Sequence, residues 1–118
     1  MKPLSALLLG LALVGVACSS SESGVGGLTQ VVATDTTCKP EKTEFAAGKQ
    51  SFEIDNQGDK VTELYVYGKD DNIVGEVEDV GPDSSRRLNV TLKKGETYEL
   101  ACKPGQTGRG IRVPITVT

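Results

Sequence analysis

The chain has 118 residues, no histidine and no tryptophan, and carries a formal net charge of −3, which makes it one small domain with a limited core. The mild acidity excludes an electrostatic binder of nucleic acid or of anionic membrane surfaces. The missing histidine excludes Ser–His and Cys–His nucleophile systems and the common His-containing zinc sites.

Met1-Lys2 is a short positive start, followed by an uncharged apolar run from Leu4 to Val16 that ends at Ala17-Cys18. The run is too short and too abruptly ended for a membrane-spanning helix, and it reads as a secretory signal. A cysteine directly after a small residue fits a bacterial lipoprotein signal, with Cys18 lipidated and becoming the mature N-terminus; Gly15 stands where such signals usually carry an aliphatic residue. Residues 1–17 are therefore expected to be a lipoprotein signal peptide. Residues 18–27, rich in Ser and Gly, read as a flexible tether, and residues 28–118 as the domain. The expected location is the extracytoplasmic face of a bacterial membrane or envelope, with the membrane held through the N-terminal lipid.

Leu28 to Thr36 opens the domain as a strand, which Cys38-Lys39-Pro40 stops because proline donates nothing to a ladder. Thr43 to Phe45 is a short strand. Gln50 to Asn56 alternates, with Phe52 and Ile54 on one face and Glu53 and Asp55 on the other, and Asn56-Gln57-Gly58-Asp59 turns the chain. In Val61 to Tyr67, Leu64 and Val66 share one face while Glu63, Tyr65 and Tyr67 share the other. Solvated or half-buried sheet tyrosines are the ordinary case, and an exposed docking face is the alternative. Ile73 to Val80 is a weaker strand or irregular segment ending at Gly81-Pro82. Arg87 to Leu92 alternates again. Thr97 to Cys102 then puts Tyr98, Leu100 and Cys102 on one parity before breaking at Pro104-Gly105. The last strand, Gly110 to Thr118, aligns Ile111, Val113, Ile115 and Val117; Pro114, on the opposite parity, calls for an edge or a bulge. About seven or eight short strands with turn signals roughly every 8–12 residues, and no helical period, imply an all-β fold: an antiparallel Greek-key β-sandwich.

With Cys18 assigned to lipid, Cys38 and Cys102 remain as one pair in a compartment that permits disulfides. No glycine-rich phosphate loop follows a strand and opens a helix, and nothing marks two carboxylates as an acid/base pair, so no enzyme activity is expected.

A cysteine borne on a strand after Tyr-x-x-x, a Pro/Gly loop and a final alternating strand resemble the C-terminal hairpin of cupredoxins. The span from Val31 to Thr118 further resembles the cupredoxin-like domain of EfeO-type iron-uptake proteins. The shared pieces are Val-Val-Ala-Thr-Asp-Thr-Thr-Cys-Lys-Pro, Ala-Gly-Lys-Gln-Ser-Phe-Glu-Ile-Asp-Asn-Gln-Gly, Thr-Glu-Leu-Tyr-Val and Gly-Glu-Thr-Tyr-Glu-Leu-Ala-Cys. The helical peptidase-like domain of those proteins, with its iron site, has no counterpart here. The resemblance implies a copper or iron site of unusual type, with Cys38, Cys102, Glu63 and Glu99 at the matching ligand positions, and a place in a metal-uptake system. A blue-copper centre is excluded by composition: it needs two imidazoles beside the thiolate and usually an axial methionine, and the one methionine here is Met1. Two functions stay open. In one, the domain is a lipid-anchored binder or carrier of copper or iron, without catalysis. In the other, Cys38 and Cys102 form a disulfide in a structural or protein-interaction module of the cell envelope.

Overall fold

Apolar–polar alternation decides most of the strands, and long-range pairing decides the rest. The computed structural model describes residues 25–118; the stretch 1–17 read as a signal peptide, and Cys18, read as the lipidation site, lie outside the described residues. Within them run nine strands and two single turns of 3-10 helix. The strands are β1 (Val25–Ala33), β2 (Cys38–Pro40), β3 (Glu44–Phe45), β4 (Gly48–Asn56), β5 (Thr62–Tyr67), β6 (Ile73–Val80), β7 (Ser85–Leu92), β8 (Tyr98–Cys102) and β9 (Ile111–Val117). A four-stranded sheet ordered β2-β1-β4-β7 packs on a five-stranded sheet ordered β3-β9-β8-β5-β6, so the expected all-β sandwich is what forms.

The sheets are mixed where a wholly antiparallel fold was expected. β1 lies parallel to β4, with Val31 opposite Ile54, and β3 lies parallel to β9. Parallel neighbours need a connection of a dozen or more residues, and the stretch 34–47 supplies one by passing through the other sheet. Cys38-Lys39-Pro40 also does more than stop β1: it folds back on it as β2, with Ala33 opposite Cys38 and Val31 opposite Pro40. β1 starts at Val25, so its ladder reaches into the stretch read as tether.

The core lies between the sheets and draws on the parities read from the sequence: Phe52 and Ile54, Leu88, Val90 and Leu92, and Tyr98, Leu100 and Cys102 are all buried in one cluster. β6 and β7, at the same margin of the two sheets, close that side of the sandwich. Gly75 makes the approach possible, since a Cβ there would stand 2.5 Å from Val90 Cγ1 and 3.2 Å from Leu88 Cδ1. Ile73–Val80, a weak signal in the sequence, forms a full strand paired to β5. Pro114 sits in an unbroken register opposite Glu99, so it marks an edge and no bulge. Thr116 N donates outward to Thr43 O of the β3 side (2.9 Å), and Pro114, two residues earlier, presents its missing N–H to that same margin, beyond the reach of β3.

Two polar devices fix the ends. Buried Asn56 donates from Nδ2 to Lys60 O (2.8 Å) and Val80 O (2.9 Å) and accepts from Gly58 N (2.9 Å), which ties two turns together. At the other end the Tyr98 hydroxyl accepts from Lys93 N (2.8 Å) and donates to Glu96 Oε2 (3.0 Å), pinning the turn that enters β8.

Candidate functional site

The last hairpin carries the cysteine that the sequence singles out. β8 delivers Cys102 to its end, with Leu64 of β5 opposite on one side and Ile111 of β9 opposite on the other. Facing residues of a ladder share a face, so Cys102 points into the core with Leu64 and Leu100. Cys38, at the start of β2, meets it from the other sheet. The two sulfurs are joined as a disulfide, with Cα atoms 5.6 Å apart.

The loop beyond Cys102 is held against β5. Lys103 N donates to Glu63 O (2.9 Å), Gly105 N to Val61 O (2.8 Å) and Gln106 N to Lys103 O (2.9 Å), which builds the 3-10 turn Pro104–Gln106. The loop closes at Gly110, whose φ of +77° suits glycine alone; a Cβ there would lie 2.7 Å from Cys102 O.

Glu63 and Glu99 are elsewhere. Both lie on the outer face of the five-stranded sheet, because Tyr67 faces Glu99 and Tyr65 faces Ala101, one position out of step with Leu64 and Cys102. The structure thus brings together Cys38 and Cys102 and sets the two glutamates on the far side of the sheet. Among the described residues no group of three or more Cys, Asp or Glu side chains is arranged to hold a metal ion. A disulfide offers no thiolate, so the residues as joined here do not fit a copper or iron ion.

The outer face of this sheet is buried as well at β5. Glu63, Tyr65 and Tyr67 are only 7%, 8% and 6% exposed, although they face away from the core. The two rings stack with centroids 5.3 Å apart, and the layer is sealed by cations: Lys103 Nζ lies 3.9 Å from the Tyr65 centroid and the Arg112 guanidinium 4.0 Å from that of Tyr67. Arg112 is held in place by Asp71 Oδ1 (2.9 Å), which also faces Arg109. The Tyr65 hydroxyl donates to Glu78 Oε1 (3.2 Å). The neighbouring carboxylate of Glu76, then burial, then Glu63 push its pKa well above the ordinary tyrosine range. The face is therefore closed by its own side chains and does not present two bare rings for docking. Sequence reasoning missed Lys103 and Arg112; the available signal was their parity, which sets Arg112 opposite Ala101.

A groove of about 540 Å³ opens at the other end of β5 and β8, lined by Gly68, Lys69, Asp70, Asp71, Thr97, Tyr98 and Glu99. Glu99 belongs to that end, a strand length away from Cys102.

A nine-stranded sandwich with its cysteine at the mouth of the last hairpin is the architecture of cupredoxins. The family model of the cupredoxin-like domain matches residues 5–112, and the chain belongs to that family. Over 73 residues it is 33% identical to the iron uptake system component EfeO of Escherichia coli K12, and equally to that of Shigella flexneri. The match takes in 62% of this chain and 19% of EfeO, so the chain spans a small part of these relatives. Among solved structures, dithionite-reduced auracyanin from Roseiflexus castenholzii superposes with a TM-score of 0.60 at 16% identity, over 80% of this chain and 99% of that one. The azurin Az-iso2 of Methylomonas sp. strain J gives 0.59 at 12% identity, over 77% and 97%. At such identities the likeness is one of fold.

Proposed function

We propose that this chain is an extracytoplasmic, lipid-anchored, non-catalytic domain that serves a metal-uptake system of the bacterial envelope. The observation that supports this reading is the 33% identity to an iron uptake system component within a shared cupredoxin-like domain. In its oxidised form the domain works through its surface, as a structural or protein-interaction module held by the Cys38–Cys102 bond.

A second reading is supported by the same relatives: once reduced, Cys38 and Cys102 supply two soft thiolates suited to Cu(I), while carboxylates suit harder ions such as iron. Counting free thiols in the purified, non-reduced protein and titrating Cu(I), Cu(II) and Fe(III) before and after reduction separates the two. Zero thiols and no metal binding in either state leaves the surface role alone. Cu(I) binding to the reduced protein that Cys102→Ser abolishes establishes the carrier. Anchoring is tested apart from both: Cys18→Ala releases the protein from the membrane fraction, and persistent attachment overturns the lipid anchor.

A further inference from the structure

We propose that the Cys38–Cys102 bond is a redox latch on one edge strand, opened from the Cys38 side, and not merely a staple of the whole domain. Three features converge on this. β2 is the marginal strand of its sheet, three residues long, and is paired to β1 at three positions, with no strand among the described residues on its other side. The bond is a covalent link between the two layers, running from that edge to β8 in the interior of the other sheet. The two cysteines, both buried, also differ in what encloses them. Cys102 is flanked in its sheet by β5 and β9, whereas Cys38 lies on the edge strand beside exposed Lys39.

A short edge element opens at lower free energy than a strand enclosed on both sides. When β2 lifts, the sulfur that comes within reach is that of Cys38. The thiolate of a dithiol attacks Cys38 Sγ; the protein S–S bond breaks and Cys102 leaves as thiolate, taking up a proton. The dithiol's second thiolate then attacks the mixed disulfide, releasing Cys38 and closing the dithiol's own disulfide. Two electrons and two protons pass from the dithiol to the protein. With the bond gone, β2 and its flanks (34–43) come off β1 and uncover the β1 edge at Val31–Ala33 together with the Cys102 thiol. The remaining strands stay in place, because the opposite margin is closed by β6 against β7 and the core cluster spans both sheets. The latch rests on topology and burial, and it stands whether or not a metal binds.

Hydrogen exchange on the full chain, oxidised and after dithiothreitol, well below the melting temperature, tests it. Amides of 38–40 and their β1 partners should exchange about tenfold faster or more after reduction, with the weak denaturant dependence of a local opening. β8 and β9 should quicken only as far as the lower global stability allows and keep the steep denaturant dependence of global unfolding. A rise at 38–40 with the same steep denaturant dependence as β8 and β9, or no rise there at all, overturns the latch. Brief exposure to glutathione, a monothiol, should place the mixed disulfide on Cys38 in large excess over Cys102; equal labelling overturns the order of attack. The double variant Cys38→Ala/Cys102→Ala should show the fast exchange without any thiol. If it keeps β2 as protected as the oxidised protein, or if it fails to fold, the bond is not a local latch.

Discussion

The two faces of the five-stranded sheet are both closed, by opposite chemistry. All six residues of β5 are buried, yet Leu64 and Val66 meet an apolar core while Glu63, Tyr65 and Tyr67 meet a thin layer of cations and carboxylates. The inner face is held by dispersion, water exclusion and one covalent bond, none of which is screened by salt. The outer face is held by cation–π contacts and by the Arg112–Asp71 pair, which salt and pH can reach. The difference also explains the fate of the ligand set. Residues one apart on a strand point to opposite faces, so Glu63 and Glu99 cannot share a side with Cys102 while the register holds.

The comparison predicts a steep order of sensitivities. Loss of the disulfide has the largest effect. Its partners are 64 positions apart, and closing such a loop stabilises by about 4 kcal/mol on the chain-entropy model. Reduction should therefore lower the melting temperature by on the order of 20 °C, read by circular dichroism with and without a phosphine reductant, while leaving the protein folded at room temperature. An unchanged melting curve would mean that the inner face does not need its covalent link. Next comes Leu100→Ala, which leaves a cavity between fully buried Val66 and partly buried Val113. It should cost about 3 kcal/mol in denaturant unfolding, with little dependence on salt.

Arg112→Ala strikes the other face. It removes the cation over Tyr67 and leaves Asp71 with Arg109 alone, with an expected cost of about 1 kcal/mol that shrinks as salt is raised. Arg112→Lys should recover only part of this, since lysine lacks the planar fork that both stacks on the ring and bonds Asp71. If Arg112→Ala costs as much as Leu100→Ala and ignores salt, the two faces are not held by different forces.

Much of the inner face was legible in the sequence, because a period of two writes a buried face directly. Phe52 and Ile54 announce one strand, Leu88, Val90 and Leu92 another, and the parity of Tyr98, Leu100 and Cys102 already points Cys102 at the core. Counting cysteines paired Cys38 with Cys102 but left open whether they form a disulfide or stand as two metal-binding thiols; the structure joins them. The parallel neighbours of β1 and β3 were not legible, since pairing partners across long connections leave no local mark. The outer layer was hidden for another reason. Tyr65 and Tyr67 look like an ordinary solvated face until Lys103 and Arg112 arrive from other strands, and a lone lysine or arginine in a sequence does not say what it will cover.

The smallest effect at neutral pH, and the most diagnostic for the outer face, belongs to the Tyr65 hydroxyl. Tyr65→Phe removes a donor to Glu78 in a partly exposed carboxylate cluster, so near pH 7 stability should fall by under about 1 kcal/mol. In alkali the sign changes. An unfolded tyrosine loses its proton at about pH 10, whereas Glu76, burial and Glu63 keep the folded Tyr65 protonated beyond that. Above that pH the unfolded state binds fewer protons than the folded one, so stability contributed by the protonated phenol is present below the unfolded pKa and drains away as pH rises. The wild-type melting temperature should therefore decline steeply on the alkaline side, and that of Tyr65→Phe should decline less. Glu76→Gln, which removes the leading carboxylate, should bring the Tyr65 phenolate band at lower pH in ultraviolet titration. Parallel alkaline declines in wild type and Tyr65→Phe would show that the carboxylates around this hydroxyl do not hold its proton.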